Sequence, residues 1–183
     1  EEIFTLLEVD GLFTGPLDRL GPDELGSGDL VVQKLRRLNR AGGFRVVWQK
    51  QFGTIFNEYG GALAVDRDGG VYVAGGTKGD ARRENQGGYD AYLTRLSANG
   101  EQLFEQQRGG EAEEVYNAAV SVGGSDVAVA GTLDSTSITS DSTNLLDILV
   151  ASFSDEGTVT RADQFGTAFD EVGLSISGVD RGF

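Results

Sequence analysis

Carboxylates are the main reactive groups this chain can offer. Its 183 residues include 29 Asp and Glu but neither His nor Cys, which removes imidazole and thiolate metal ligands, every His-based triad and disulfides. What survives is hard-cation binding through oxygen, glycoside cleavage by paired carboxylates, and recognition by surfaces. Asp66, Asp68 and Gly69 resemble the start of a calcium loop, because alternating carboxylates can converge on Ca²⁺. No third ligand follows at the right spacing, and no Glu closes the loop. Asp and Gly are equally what a tight turn requires, and the turn is the stronger reading. Asp66 and Asp68 stand beside it as candidate Ca²⁺ ligands.

A second set of carboxylates recurs along the chain. The acidic pairs Glu113-Glu114 and Asp170-Glu171, with Asn57-Glu58 as an earlier copy, would form an acidic arc able to collect Ca²⁺ or a basic partner. The plainer role is to accept hydrogen bonds from backbone N–H groups in turns, as short acidic side chains often do. Asp29, Asp90 and Asp147 each precede an apolar stretch; a position repeated three times argues for structure, since catalysis needs one constellation. Tyr89 and Tyr92 flank Asp90 and could make an aromatic sugar platform, with packing as the leading alternative. Trp48 reads as packing too. Lys78, Arg82 and Arg83 form a small basic island in an acidic chain, a contact for an acidic partner or simply a solvated loop.

The elements that position these residues follow from composition. With 28 Gly, 2 Pro and 39% hydrophobic residues, the chain is folded and turn-rich, sized for a single domain, and poor in long helices. A net charge of −14 repels a phosphate backbone, so nucleic acid is excluded as a partner. No apolar run is long enough to span a bilayer; Ile3 to Val9 ends at Asp10 and Gly11. The chain opens on Glu1 and contains no Met, which suits a processed, excised or incomplete sequence. The absence of Cys suits either redox compartment.

Internal periodicity sets the organisation. Phe52-Gly53-Thr54 recurs as Phe165-Gly166-Thr167, 113 residues on, with Arg108-Gly109-Gly110 almost midway. Val71 to Gly75 returns as Val127 to Gly131, a shift of 56, and Asp90 to Leu93 returns as Asp147 to Val150, a shift of 57. Each period parses into four short strands. Ala62–Val65 and Val71–Ala74 flank the turn Asp66 to Gly70, and Tyr89–Leu96 and Glu101–Gln107 flank Ser97 to Gly100, where Asn-Gly favours a hairpin. The next copy, Gly109 to Phe165, reads the same way around a Ser/Thr-rich loop at Thr132 to Asn144. Leu6–Val9, Asp29–Leu35 and Phe44–Gln51 supply strands of an earlier copy, and Val172–Gly178 the first strand of a later one. The reading is an all-β, β-propeller-type array of four-stranded antiparallel blades, about three in number, in one domain over 1–183. Its copies fall at approximately 1–52, 53–108 and 109–165, with 166–183 starting or completing a further blade.

Phe52-Gly53-Thr54, the acid near Glu58, Ala62 to Asp66, Gly69 to Gly75, Thr77 and Gly88 to Leu93 together resemble the bacterial β-propeller repeat family known as SBBP. The likeness is close over 52–108, weaker in the next copy and faint before Asp29. The resemblance implies a secreted or cell-surface bacterial protein, usually built from many repeats and without catalysis. The expected function is therefore a non-catalytic scaffold, adhesion or assembly component that engages protein partners or itself. A Ca²⁺-dependent surface module and a carbohydrate-acting propeller are the alternatives. Three blades fall short of the roughly four to eight that propellers use. Either the array belongs to a larger propeller or copies of the chain complete one another, with Val172–Gly178 shared within or between chains.

Overall fold

The computed structural model describes residues 1–10, 18–20, 27–38, 42–134 and 146–178. Twelve strands and no helix occur among them, so no described helix is long and apolar enough to cross a membrane. The strands form three four-stranded sheets. The first contains β1 (Glu2–Asp10), β2 (Asp18–Leu20), β3 (Ser27–Arg37) and β4 (Phe44–Phe52), in the order β1-β3-β4-β2. The middle sheet is a meander of β5 (Glu58–Val65), β6 (Val71–Thr77), β7 (Asp90–Leu96) and β8 (Gln102–Arg108). The third repeats that order with β9 (Val115–Val122), β10 (Asp126–Asp134), β11 (Leu146–Phe153) and β12 (Val159–Phe165).

Side-chain alternation explains how the sheets stack. On β6, Val71 and Val73 face the first sheet and join Leu30, Val32, Phe52, Tyr92 and Leu96 in one cluster. Tyr72 and Ala74, one residue out of phase, face the third sheet and join Leu93, Tyr116, Val129, Leu149 and Phe153. The middle sheet is thus packed on both faces, and every residue of β6 and β7 is buried. A strand buried on both faces reads as a near-continuous apolar run, which is why Val71 to Ala74 lacks polar alternation. Each buried Val, Leu or Tyr contributes about 1.5–3 kcal/mol through lost apolar exposure.

Three turns close hairpins by the same device. The first residue accepts at its side chain from the second and fourth N–H groups beyond it. Asp66 Oδ1 accepts from Asp68 N (2.9 Å) and Gly70 N (2.8 Å). Ser97 Oγ accepts from Asn99 N and Glu101 N, and Ser154 Oγ from Glu156 N and Thr158 N. The fourth position carries φ of 78°, 83° and 82° at Gly69, Gly100 and Gly157, a region that a Cβ disfavours. Aromatic rings lock two of these turns onto the preceding sheet. Trp48 lies against Gly100 and donates Nε1–H to Ala98 O at 3.0 Å, and Phe104 lies against Gly157.

Two elements depart from the expected layout. Val172–Gly178 forms no strand and joins no ladder among the described residues; it lies against the third sheet, where Asn117 Nδ2 donates to Gly173 O at 3.0 Å. β2 was absent from the sequence reading and pairs parallel to β4, with Asp18 opposite Lys50 and Leu20 opposite Phe52; three residues are too few to show alternation. The Ser/Thr-rich segment beginning at Thr132 lies outside the described residues from 135 to 145.

Candidate functional site

The carboxylates gather where one sheet hands the chain to the next. After β4 the chain turns through Gly53 and Thr54, and Glu58 opens β5 four residues later. Glu58 Oε2 accepts from Thr54 N (3.0 Å), and Oε1 accepts from Thr54 Oγ1 and Thr77 Oγ1 (both 2.8 Å). Beside it, Asp29 Oδ2 accepts from Gln51 Nε2 at 2.8 Å. A Cβ at Gly53 would collide with both carboxylates, Asp29 Oδ1 and Glu58 Oε2. Glycine is therefore required by space at this junction.

The junction recurs twice. Glu114 Oε2 accepts from Gly110 N at 2.8 Å, Asp90 Oδ2 accepts from Gln107 Nε2 at 2.9 Å, and Gly109 is wedged between the two acids. Glu171 accepts from Thr167 N at 3.0 Å and from Thr167 Oγ1, Asp147 accepts from Gln164 Nε2, and Gly166 lies against Asp147. Gln51, Gln107 and Gln164 escaped the sequence reading. The signal was present, since each stands two residues before the junction glycine.

Electrostatics fit a buried structural role. Glu58 is 5% exposed and Asp29 fully enclosed. Burial pushes the Glu58 carboxyl above the ordinary carboxylate range, opposed by its bonds from Thr54 and Thr77 and reinforced by the charge of Asp29. The outer members of the acidic pairs behave differently: Glu113 and Asp170 are exposed, and Asp170 Oδ1 caps Leu146 N at 3.1 Å.

The candidate calcium ligands do not converge. Asp66 is buried, with Oδ1 engaged by the turn and Oδ2 by Arg95 Nε (3.0 Å) and Nη2 (2.7 Å). The guanidinium occupies the place a bound cation would take. Asp68 is exposed and its Oδ2 accepts from Ser125 Oγ of the next sheet at 2.7 Å. Among the described residues, no group of three or more acidic side chains is arranged to hold a metal ion.

Tyr89 and Tyr92 part company as well. Tyr92 is buried in the cluster between the first two sheets, and its hydroxyl donates to Glu105 Oε1 at 2.6 Å. Burial, with the neighbouring Glu105 charge, holds its phenol well above the ordinary value. Tyr89 instead meets Tyr59 edge-on, with ring centroids 6.4 Å apart, beneath the Lys78 ammonium at 4.6 Å. The rest of the basic island is tied down: Arg83 donates Nη2–H to Gly109 O at 3.1 Å, and Gln107 Oε1 accepts from the backbone N–H groups of Arg82 and Arg83.

Trp48 packs with Phe4 at 5.7 Å between ring centroids. The described carboxylates are thus engaged mainly in turns, sheet junctions and ion pairs. No family model and no curated protein matches this sequence.

Proposed function

We propose that the chain is a non-catalytic structural and interaction module, an array of three β-propeller-type blades similar to the bacterial SBBP repeats and working outside the cell or at its surface. One observation carries the reading. Glu58, Glu114 and Glu171 each bind the turn that precedes them, and Asp29, Asp90 and Asp147 each bind a Gln of the adjoining strand. The groups best suited to chemistry in this composition are therefore used three times over for the same architectural purpose. The propeller-type arrangement is supported by the order of contacts: β5 packs on β9, and β1, which pairs with β3 as β6 pairs with β7, packs on β5 as β6 packs on β9, as strands of successive blades would.

The test is an incubation of the purified chain with a panel of glycans, together with melting curves taken with Ca²⁺ and with chelator. No reducing sugar and superimposable curves are expected. Sugar release would replace the reading with a carbohydrate-acting enzyme, and a melting temperature raised by Ca²⁺ would replace it with a calcium-dependent module.

A further inference from the structure

Charge is distributed unevenly along this acidic chain. Residues 30–57 hold six of its 15 basic residues and none of its 29 acidic ones. The other 155 residues set nine basic against 29 acidic side chains. A basic block in an acidic chain is the footprint of an anionic partner. It covers most of β3 and all of β4, the hairpin of the first sheet.

That hairpin outreaches its counterparts. Ser97 N donates to Glu101 O and Ser154 N to Thr158 O to close the hairpins of the other sheets, each seven residues after Asp90 or Asp147. The matching bond in the first sheet, Leu38 N to Gly43 O, comes nine residues after Asp29. Two further residues at about 3.4 Å each carry this hairpin about 7 Å past its neighbours. The three lie side by side, since Lys34 Nζ and Trp48 Nε1 both donate to Ala98 O and Arg95 Nη1 donates to Asp155 O. The protruding end thus clears Glu101, Asp155 and Glu156, the exposed acids of the neighbouring turns. That clearance is close to the screening length of about 8 Å at physiological salt, so those acids act only weakly on whatever the end touches.

The end is apolar and cationic together. Leu38 is 57% exposed, Phe44 48% and Val47 39%. Arg37 stands opposite Phe44 in the ladder, and Arg36 opposite Arg45; like charges directly opposite are unfavourable without an anion to join them. Glu2 binds Arg36 and Lys34, and Glu1 binds Arg37, but such exposed pairs are weak. Arg45 is exposed and has no ion-pair partner among the described residues. Extending the reading of the chain as an interaction module, we infer that residues 36–38 and 43–47 dock on an anionic bilayer surface. Leu38 and Phe44 enter the interface, while the guanidinium groups of Arg36, Arg37 and Arg45 hold lipid phosphates. A lipid surface fits better than a soluble polyanion for two reasons. A plane touches only what protrudes, whereas a polymer would also meet the acids elsewhere on the chain, and acyl chains give the apolar side chains a place that an acidic polymer lacks.

The test is flotation of the full chain with vesicles of phosphatidylcholine alone and of phosphatidylcholine mixed with phosphatidylglycerol. The expected result is binding to the mixed vesicles only, released at about 1 M salt, where the screening length falls to about 3 Å. Arg45→Glu should weaken binding about tenfold or more without lowering the melting temperature, because it also relieves the Arg36–Arg45 pair. The absence of Cys allows a single environment-sensitive dye to be placed. On Phe44→Cys its emission should shift to the blue with mixed vesicles, and on Glu113→Cys, at an exposed sheet junction, it should not. No flotation, equal flotation with both vesicles, or unchanged binding by a folded Arg45→Glu chain overturns the proposal. Binding to soluble polyglutamate but not to vesicles would assign the hairpin to an acidic protein and overturn it as well. None of these outcomes alters glycan turnover or calcium response, so the proposed function stands or falls separately.

Discussion

The middle sheet and the third sheet share strand order and turn chemistry, yet their surroundings differ. β6 and β7 are buried at every residue because a sheet covers each face. On β11, the third sheet's counterpart of β7, buried positions alternate with half-buried ones. The same contrast holds at the junctions, where Glu58 is buried with three hydrogen bonds from Thr54 and Thr77 while Glu171 is half-buried with two from Thr167. Similar local sequence is therefore worth different amounts of stability according to how many neighbours flank it, as expected for stacked units.

That contrast can be broken or sharpened by substitution. The largest effect is expected at Asp66, whose removal leaves the Arg95 guanidinium without its buried partner. Asp66→Ala should cost about 3–5 kcal/mol in denaturant unfolding, whereas exposed Asp68→Ala should stay within about 0.5 kcal/mol. Equal costs would mean that the buried pair and the turn bonds of Asp66 add no net stability. Next, Leu93→Ala in the middle sheet should cost about 2–5 kcal/mol, against no more than about 0.5 kcal/mol for the half-exposed Leu103 on β8.

Smaller effects come from the junctions. The folded state raises the Glu58 pKa, so the protonated acid is favoured there; its contribution is fully present below the unfolded value and is lost as pH rises through the folded one. Glu58→Gln should flatten this decline across and just above the carboxylate range, as read from melting temperature against pH. An unchanged slope would show that Glu58 is ionised at no cost. Smallest is Gly157→Ala, which places a side chain at a φ of 82°. It should cost about 1–2 kcal/mol, with a further penalty from the Phe104 ring in contact there.

Much of the strand layout was legible because it depends on local signals. Val71 to Ala74 and the Asp66-to-Gly70 turn announce a hairpin through β-branched residues and turn formers, and β5 and β6 flank that turn as expected. The strands run further than alternation suggested, since β5 begins at Glu58 where the reading began at Ala62. Gly60 and Gly61 hide that extension, having no side chain to alternate. β2 left no pattern because its three residues are too few to show alternation.

The candidate site was legible in its residue types and opaque in its partners. Spacing alone marked Asp29, Asp90, Asp147, Glu58, Glu114 and Glu171, but Gln51, Gln107 and Gln164 look like ordinary polar strand residues until the fold buries them against the acids. Nor could spacing tell that Asp66 faces Arg95, which is 29 residues away in the chain.

Composition and periodicity by themselves determined that this chain is all-β, excludes imidazole and thiolate chemistry, and turns where Asp, Ser and Gly are placed, because those properties are local to a few residues. Only the tertiary structure decided which carboxylates are buried and which glycines are wedged between acids. These are long-range facts: a carboxylate's neighbours and its solvation come from strands far away in sequence, and no local pattern encodes them.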